Sequence, residues 1–194
     1  MGKINRCGQA KILTTQEMAK LFKQFRSPQH QAIFGIARYT IERIGAILKL
    51  QTSDVFNARG EVREKITFRS STRKAGGGKP GGTRQVPIHS SLKPILEIYG
   101  SQKGKWLFPS PSNPEKPLAR QSIDEVLRRA CGRAGLADKG ISLHSFRRTG
   151  ITAMARAGTG VRIIQKVSGH HNLAQLEAYI EVGEDELENA IALL

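Results

Sequence analysis

The chain has 194 residues, 39% of them hydrophobic, which is enough for one ordinary domain with a single sizeable core. Its 31 Lys and Arg against 16 Asp and Glu give a formal charge of +15, so a polyanionic partner is expected. No apolar run of about 18 residues and no secretory leader is visible, and the two cysteines, Cys7 and Cys131, lack metal-ligand spacing; membrane-spanning, secreted and disulfide-framed classes are set aside in favour of a soluble cytoplasmic protein.

The charge is unevenly spread. From Glu177 to Leu194 there are six acids and no Lys or Arg, so the first 176 residues hold all 31 bases against 10 acids, or +21. A basic body with an acidic tail suits a protein that neutralises nucleic-acid phosphates.

In chain order, residues 1–13 read as a basic leader. Thr14 with Glu17 forms a capping-box pattern ahead of Met18, Leu21, Phe22 and Phe25, which predicts a short amphipathic helix. Ser27-Pro28 opens a second helix whose apolar stripe runs Ile33, Ile36, Ala37, Ile41, Ile44, Ile47 and Leu48, with Arg43 projecting near its end. From Asp54 to Ile88 the pattern changes to extended runs, Val62 to Arg69 and Arg84 to Ile88. They flank the glycine-rich Ala75 to Gly82, and together suggest a small antiparallel sheet with a mobile hairpin. Gly100 to Pro117, with Trp106-Leu107-Phe108, reads as a surface loop. Helices are expected over Gln121 to Ala134, His144 to Ala157, Val161 to Val167, Leu173 to Tyr179 and Asp185 to Leu193, with Gly135 and Gly158 as stops.

Three groups of residues have chemical potential. His144 and Arg147 stand three apart, on one face of a helix, where a guanidinium fork and an imidazole can grip one phosphate; the same spacing also suits a solvated helix face. Gly169-His170-His171 follows. Together with His144 it raises the question of a metal, but neither a His-Glu-x-x-His pattern nor a cysteine or carboxylate at ligand spacing supports one. Tyr179 comes nine positions after His170; a lone tyrosine is ordinarily a packed core residue.

Taken together, His144-x-x-Arg147, Gly169-His170 and Tyr179 resemble the C-terminal signature of the tyrosine recombinases, the superfamily of phage integrases and chromosome-dimer resolvases. Thr40-Ile-Glu-Arg43-Ile-Gly-Ala-Ile-Leu-Lys-Leu50, followed by Asp54, resembles the first motif of that family. The resemblance spans about Thr14 to Leu194. It implies an α+β fold, a mainly helical catalytic domain with a small antiparallel sheet on one side, over residues 14–194 and including a C-terminal helix at 185–193. It also implies a catalytic set of Arg43, Lys74, His144, Arg147, His170 and Tyr179, with Lys79 as the alternative hairpin lysine. Tyr179 would attack a DNA phosphate to leave a 3′-phosphotyrosyl link. The arginines and His170 would hold its oxygens, the lysine would protonate the leaving 5′-oxygen, and His144 would assist at the tyrosine.

The family resemblance calls for no metal, ATP or other cofactor. The implied partner is double-stranded DNA, bound by a homo-tetramer whose subunits are monomeric off DNA, with the C-terminal helix docking on a neighbour. Two departures stand out: the first motif usually has Gly two residues before the Arg and an acid three after it, whereas Ile41 and Ala46 stand here. The carboxylate that would buttress Arg43 is therefore missing from its usual place. The N-terminal DNA-binding domain usual in the family has no counterpart before Thr14, so a fragment or a short protein is expected. A relaxing topoisomerase and a non-recombining DNA-binding accessory protein are the rival readings. The target sequence, and the choice among integration, excision, inversion and resolution, are not written in the chain.

Overall fold

The first described helix begins where the capping box predicts it. Thr14 Oγ1 accepts from the Glu17 amide at 3.1 Å while Glu17 Oε2 accepts from the Thr14 amide at 3.0 Å, starting α1 (Thr15–Phe22). This computed structural model describes residues 9–72, 82–170, 172–177 and 191–192. Pro28 sits in the first turn of α2 (Pro28–Thr40), where its missing N–H is harmless. Ala32, Ile33, Phe34, Gly35, Ile36, Ala37 and Thr40 of α2 are all buried, so this helix runs through the core rather than lying on it. Gly35 permits a close approach, since a Cβ there would lie 3.1 Å from Leu92 Cδ1.

The expected helix running on from Ser27 to Leu48 is corrected here: α2 stops at Thr40. Ile41 adopts a left-handed conformation with φ 49° and ψ 22°, and the chain restarts as α3 (Ile44–Ile47) with Arg43 extended at its N-cap. A β-branched residue at positive φ is unusual; its side chain is held in a small buried cluster with Ile151, Ile164 and Leu176. A one-turn helix α4 (Thr52–Val55) leads to β1 (Lys65–Phe68). This strand pairs antiparallel with β2 (Arg84–Pro87), Ile66 opposite Val86 and Phe68 opposite Arg84, and buries Ile66, Phe68 and Val86. The glycine-rich 73–81 lies outside the described residues.

A helix not anticipated from the sequence, α5 (Lys93–Tyr99), follows and packs on α2. The 100–117 loop does cross the surface, yet it is pinned at Leu107 and Phe108, both fully buried. The remaining helices fall where periodicity puts them: α6 (Arg120–Arg133), α7 (Leu143–Arg156), α8 (Val161–Ser168) and α9 (Leu173–Glu177). Gly135 and Gly158 take positive φ after α6 and α7, as expected of C-terminal stops. Of the proposed helix 185–193 only residues 191–192 are described. Phe25 stacks on Phe34 at 4.1 Å and Phe34 meets Phe146 at 5.2 Å, joining α2 and α7 at the centre of the main core.

The result is a mainly helical domain with a two-stranded antiparallel sheet among the described residues. None of the described helices is long and apolar enough to cross a membrane. Cys131 is a buried core residue of α6, and burial pushes its thiol up to about 11, which keeps it protonated and unreactive; Cys7 lies outside the described residues.

Candidate active site

The break after α2 and the middle of α7 meet, and a cationic site forms there. Arg147, in the second turn of α7, is only 3% exposed. Its Nη1 donates to the Ile41 carbonyl at 2.7 Å, and its Nη2 lies 3.1 Å from His170 Nε2 and 3.3 Å from His170 Nδ1. The left-handed turn at Ile41 thus aims a carbonyl at the guanidinium. Gly150, one turn along α7, leaves room for Ile41, because a Cβ on Gly150 would overlap Ile41 Cγ2.

His170 arrives from α8. Gly169 closes that helix with φ 66°, a conformation in which a side chain would be strained, and His170 follows it, buried against Arg147. Ser168 Oγ, fully buried, lies 2.7 Å from His170 Nδ1. Arg147 can only donate and the Ser168 hydroxyl points its own proton at the Gln165 carbonyl, 3.4 Å away, so the ring proton falls on Nδ1, which donates to Ser168 Oγ, while Nε2 accepts from Arg147.

Arg43 is half-buried, and among the described residues its guanidinium makes no hydrogen bond or ion pair. Ala46, where the motif usually has an acid, is buried, and a different carboxylate, Glu42, is buried next to Arg43 in the chain and reaches its backbone amide, not its guanidinium. Glu42 Oε1 accepts the Arg43 amide at 2.8 Å and lies 3.9 Å from Arg147 Nη1, while Oε2 accepts Arg84 Nη2 at 2.7 Å. Arg84 and Arg147 against Glu42 leave a formal +1 at this node, two cations less one anion.

The structure therefore brings Arg147 and His170 into contact and joins the Arg43 backbone to them through Glu42. His144 lies at the start of α7, one turn before Arg147, with its side chain exposed. Lys74, Lys79, His171 and Tyr179 lie outside the described residues; α9 is described as far as Glu177, and its Leu176 is fully buried in the cluster under Ile41. Sequence reasoning missed Glu42, Arg84 and Ser168. Glu42, two residues past the end of α2, falls off the apolar stripe and gave no local signal; Ser168 had only its place two before His170.

The chain matches the model of the phage integrase family over residues 11–186 and belongs to that family. Among curated relatives, it is 38% identical over 116 residues to the tyrosine recombinase XerD of Corynebacterium glutamicum, covering 57% of this chain and 38% of that protein. It is 24% identical over 186 residues to a tyrosine recombinase of Thermosipho africanus, covering 94% of this chain and 61% of the other. XerD of Brucella suis is 28% identical over 123 residues, and the match spans 40% of its length. Among solved structures, XerA recombinase superposes with a TM-score of 0.74 at 23% identity, over 96% of this chain and 66% of that one. The Tn1549 transposon integrase, solved with transposon right end DNA, gives 0.74 at 17% identity over 97% and 67%. XerH recombinase, solved bound to its difH substrate, gives 0.71 at 19% identity over 97% and 55%. At these identities the superpositions establish the fold.

Proposed function

We propose that this chain is the catalytic domain of a site-specific DNA recombinase or integrase. It would act in the cytoplasm on double-stranded DNA, through a 3′-phosphotyrosyl intermediate and without metal or ATP. The observation that carries this reading is Arg147, a buried guanidinium fixed by the Ile41 carbonyl and set against His170 beside Arg43. A cation held in place before the substrate arrives is what a phosphoryl transition state requires, because charge gathers on the non-bridging oxygens and no reorganisation is needed to meet it. Structural neighbours solved on DNA support the choice of partner.

In this scheme Arg43 and Arg147 grip the non-bridging oxygens, with His170 adding a hydrogen bond. The Tyr179 hydroxyl attacks phosphorus, assisted by His144, which takes up its proton. The bond from phosphorus to the 5′-oxygen breaks, and Lys74 or Lys79 delivers a proton to that oxygen. The phosphodiester is conserved as a phosphotyrosine, so the 5′-hydroxyl of another strand reverses the step and completes exchange within a homo-tetramer on DNA. The catalytic domain is taken as residues 14–194, with the basic leader at 1–13 ahead of it.

The test uses a labelled pool of nicked duplexes with randomised flanks, in which cleavage near the nick releases a short fragment and traps the covalent complex. The chain should form a denaturation-resistant adduct, and Tyr179→Phe should bind the same pool without forming it. An adduct of undiminished yield in Tyr179→Phe refutes the assignment.

A further inference from the structure

We propose that Glu42 is a positioning residue for strand transfer: its buried carboxylate sets the guanidinium of Arg147 and fastens it, through Arg84, to the start of β2. The proposal rests on the strand-transfer reading above and adds a residue to it.

Each oxygen of Glu42 has its own task. Oε2 takes the short contact to Arg84 Nη2 at 2.7 Å, whereas Oε1 faces the Arg43 amide at 2.8 Å and stands 3.9 Å from Arg147 Nη1. Attraction between charges weakens as distance grows, so Arg84 is held more strongly than Arg147 by this side chain, which is only 1% exposed. Arg147 stands farther from the same carboxylate, and its short contacts go to the Ile41 carbonyl and His170. This division matters for a phosphate clamp, since an arginine fully paired to a carboxylate has less charge to offer an incoming anion.

Arg84 is itself well placed to serve as the anchor. Its guanidinium lies 5.6 Å over the Phe68 ring on the facing strand, and its Nη1 is 3.5 Å from the Lys166 carbonyl in the last turn of α8. Glu42 and Arg84 thus join four segments: the break after α2, the sheet, α7 and the end of α8 that delivers His170. Thr40 locks the approach, donating its hydroxyl to the Ile36 carbonyl at 2.8 Å and accepting the Glu42 amide at 3.3 Å.

The experiment compares the full chain with Glu42→Gln and with the paired change Glu42→Met plus Arg84→Met, using the nicked duplex pool recovered as adduct by the unaltered chain. Replacing a buried ion pair by apolar side chains of similar size is often neutral for folding, so the paired variant isolates positioning from stability. Thermal unfolding of the paired variant should match the parent. Its single-turnover rate of adduct formation should fall about 100-fold, the scale of a misplaced catalytic group, with DNA affinity changed less than about 3-fold. Glu42→Gln should also cleave slowly at nearly unchanged affinity. A paired variant that folds and cleaves like the parent overturns the proposal, and so does loss of the fold in both variants, which would make Glu42 a folding residue. Failure of the parent chain itself to form any adduct would instead refute the strand-transfer reading.

Discussion

Ile41 and Gly150 should behave as a matched pair: Gly150→Ala damages the fold while Ile41 is present, and restores part of the lost stability once Ile41 is replaced by Gly. Ile41 is held at φ 49°, at a cost of about 1–2 kcal/mol for an L-residue with a Cβ. Ile41→Gly removes that strain, but it also deletes a buried side chain from the cluster with Ile151, Ile164 and Leu176, a loss of about 2–5 kcal/mol in comparable truncations. The net expectation is destabilisation of about 1–3 kcal/mol. Gly150→Ala alone drives a methyl into Ile41 Cγ2 in the middle of α7, and overpacking of this kind costs about 1–3 kcal/mol. In the Ile41→Gly background the obstructing atoms are gone, and the next neighbour of the new Cβ is the Arg38 carbonyl oxygen at 3.9 Å, an ordinary contact. There Gly150→Ala should stabilise by about 1 kcal/mol, the usual preference of a helix interior for Ala over Gly. The sign of the second substitution therefore reverses with the first, a coupling of about 2–4 kcal/mol. Urea unfolding of the four proteins of the cycle measures it directly. Equal destabilisation by Gly150→Ala in both backgrounds would refute the steric account of the break after α2.

Three further outcomes are expected. Ser168→Ala removes the hydroxyl 2.7 Å from His170 Nδ1 and should slow adduct formation roughly 5- to 10-fold at unchanged DNA affinity, the worth of about one hydrogen bond in the transition state; an unaltered rate would show that Ser168 does not orient the ring. His30 is pushed below its ordinary pKa by burial and by the positive charges of Arg129 and Arg133, so its proton is bound more weakly in the folded chain. Stability should thus be fully present above the unfolded value near 6.5 and decline as pH falls through it; His30→Gln should flatten that part of the profile, and an identical decline in the variant would remove His30 as its source. Finally, substituting each hairpin lysine by Ala should identify the general acid: the correct one loses about 100-fold or more on an ordinary phosphodiester, and recovers when the leaving 5′-oxygen is replaced by sulfur, which departs without a proton. If neither Lys74→Ala nor Lys79→Ala shows that recovery, the acid lies elsewhere.

Much of the fold could be read from local rules because those rules act locally. The capping box at Thr14 and Glu17, the glycine stops at 135 and 158, and the alternation of Ile66 and Phe68 each depend on neighbours within a turn or a strand. The reading failed where a distant partner decides. Ile41 breaks the helix although β-branched residues avoid left-handed backbone; the apolar stripe continues through it, and only its contact with α7 reveals why it turns. Glu42 looks like a solvated face of a helix until Arg84, 42 residues away, closes on it. Helix α5 has only seven residues, so its apolar Ile95, Leu96 and Ile98 show too little periodicity to announce a helix. For the site, the motif spacings named Arg43, His144, Arg147 and His170, but nothing local distinguishes the buried Arg147 from the exposed His144 three positions earlier.

The arrangement on α7 shows why two adjacent arginines serve different ends. Successive residues of a helix point about 100° apart, so Arg147 and Arg148 cannot share a target. Arg147 turns to Ile41 and His170, whereas Arg148 Nη1 donates to the Ala10 carbonyl at 2.9 Å and Thr149 Oγ1 accepts the Leu13 amide at 2.8 Å. One helix thus presents Arg147, the proposed phosphate clamp, on one side and straps residues 10–13 along another. Burying a guanidinium as deeply as Arg147 is unfavourable unless its donors are met, and the fold meets them with a carbonyl, an imidazole and a nearby carboxylate before any substrate arrives. The desolvation is then a cost of folding, spread over the packing of α2 and α7, and not of the chemical step. Exchanging Arg147 for lysine would keep the charge while losing the fork that holds the Ile41 carbonyl and His170 together, so the clamp depends on shape as much as on sign.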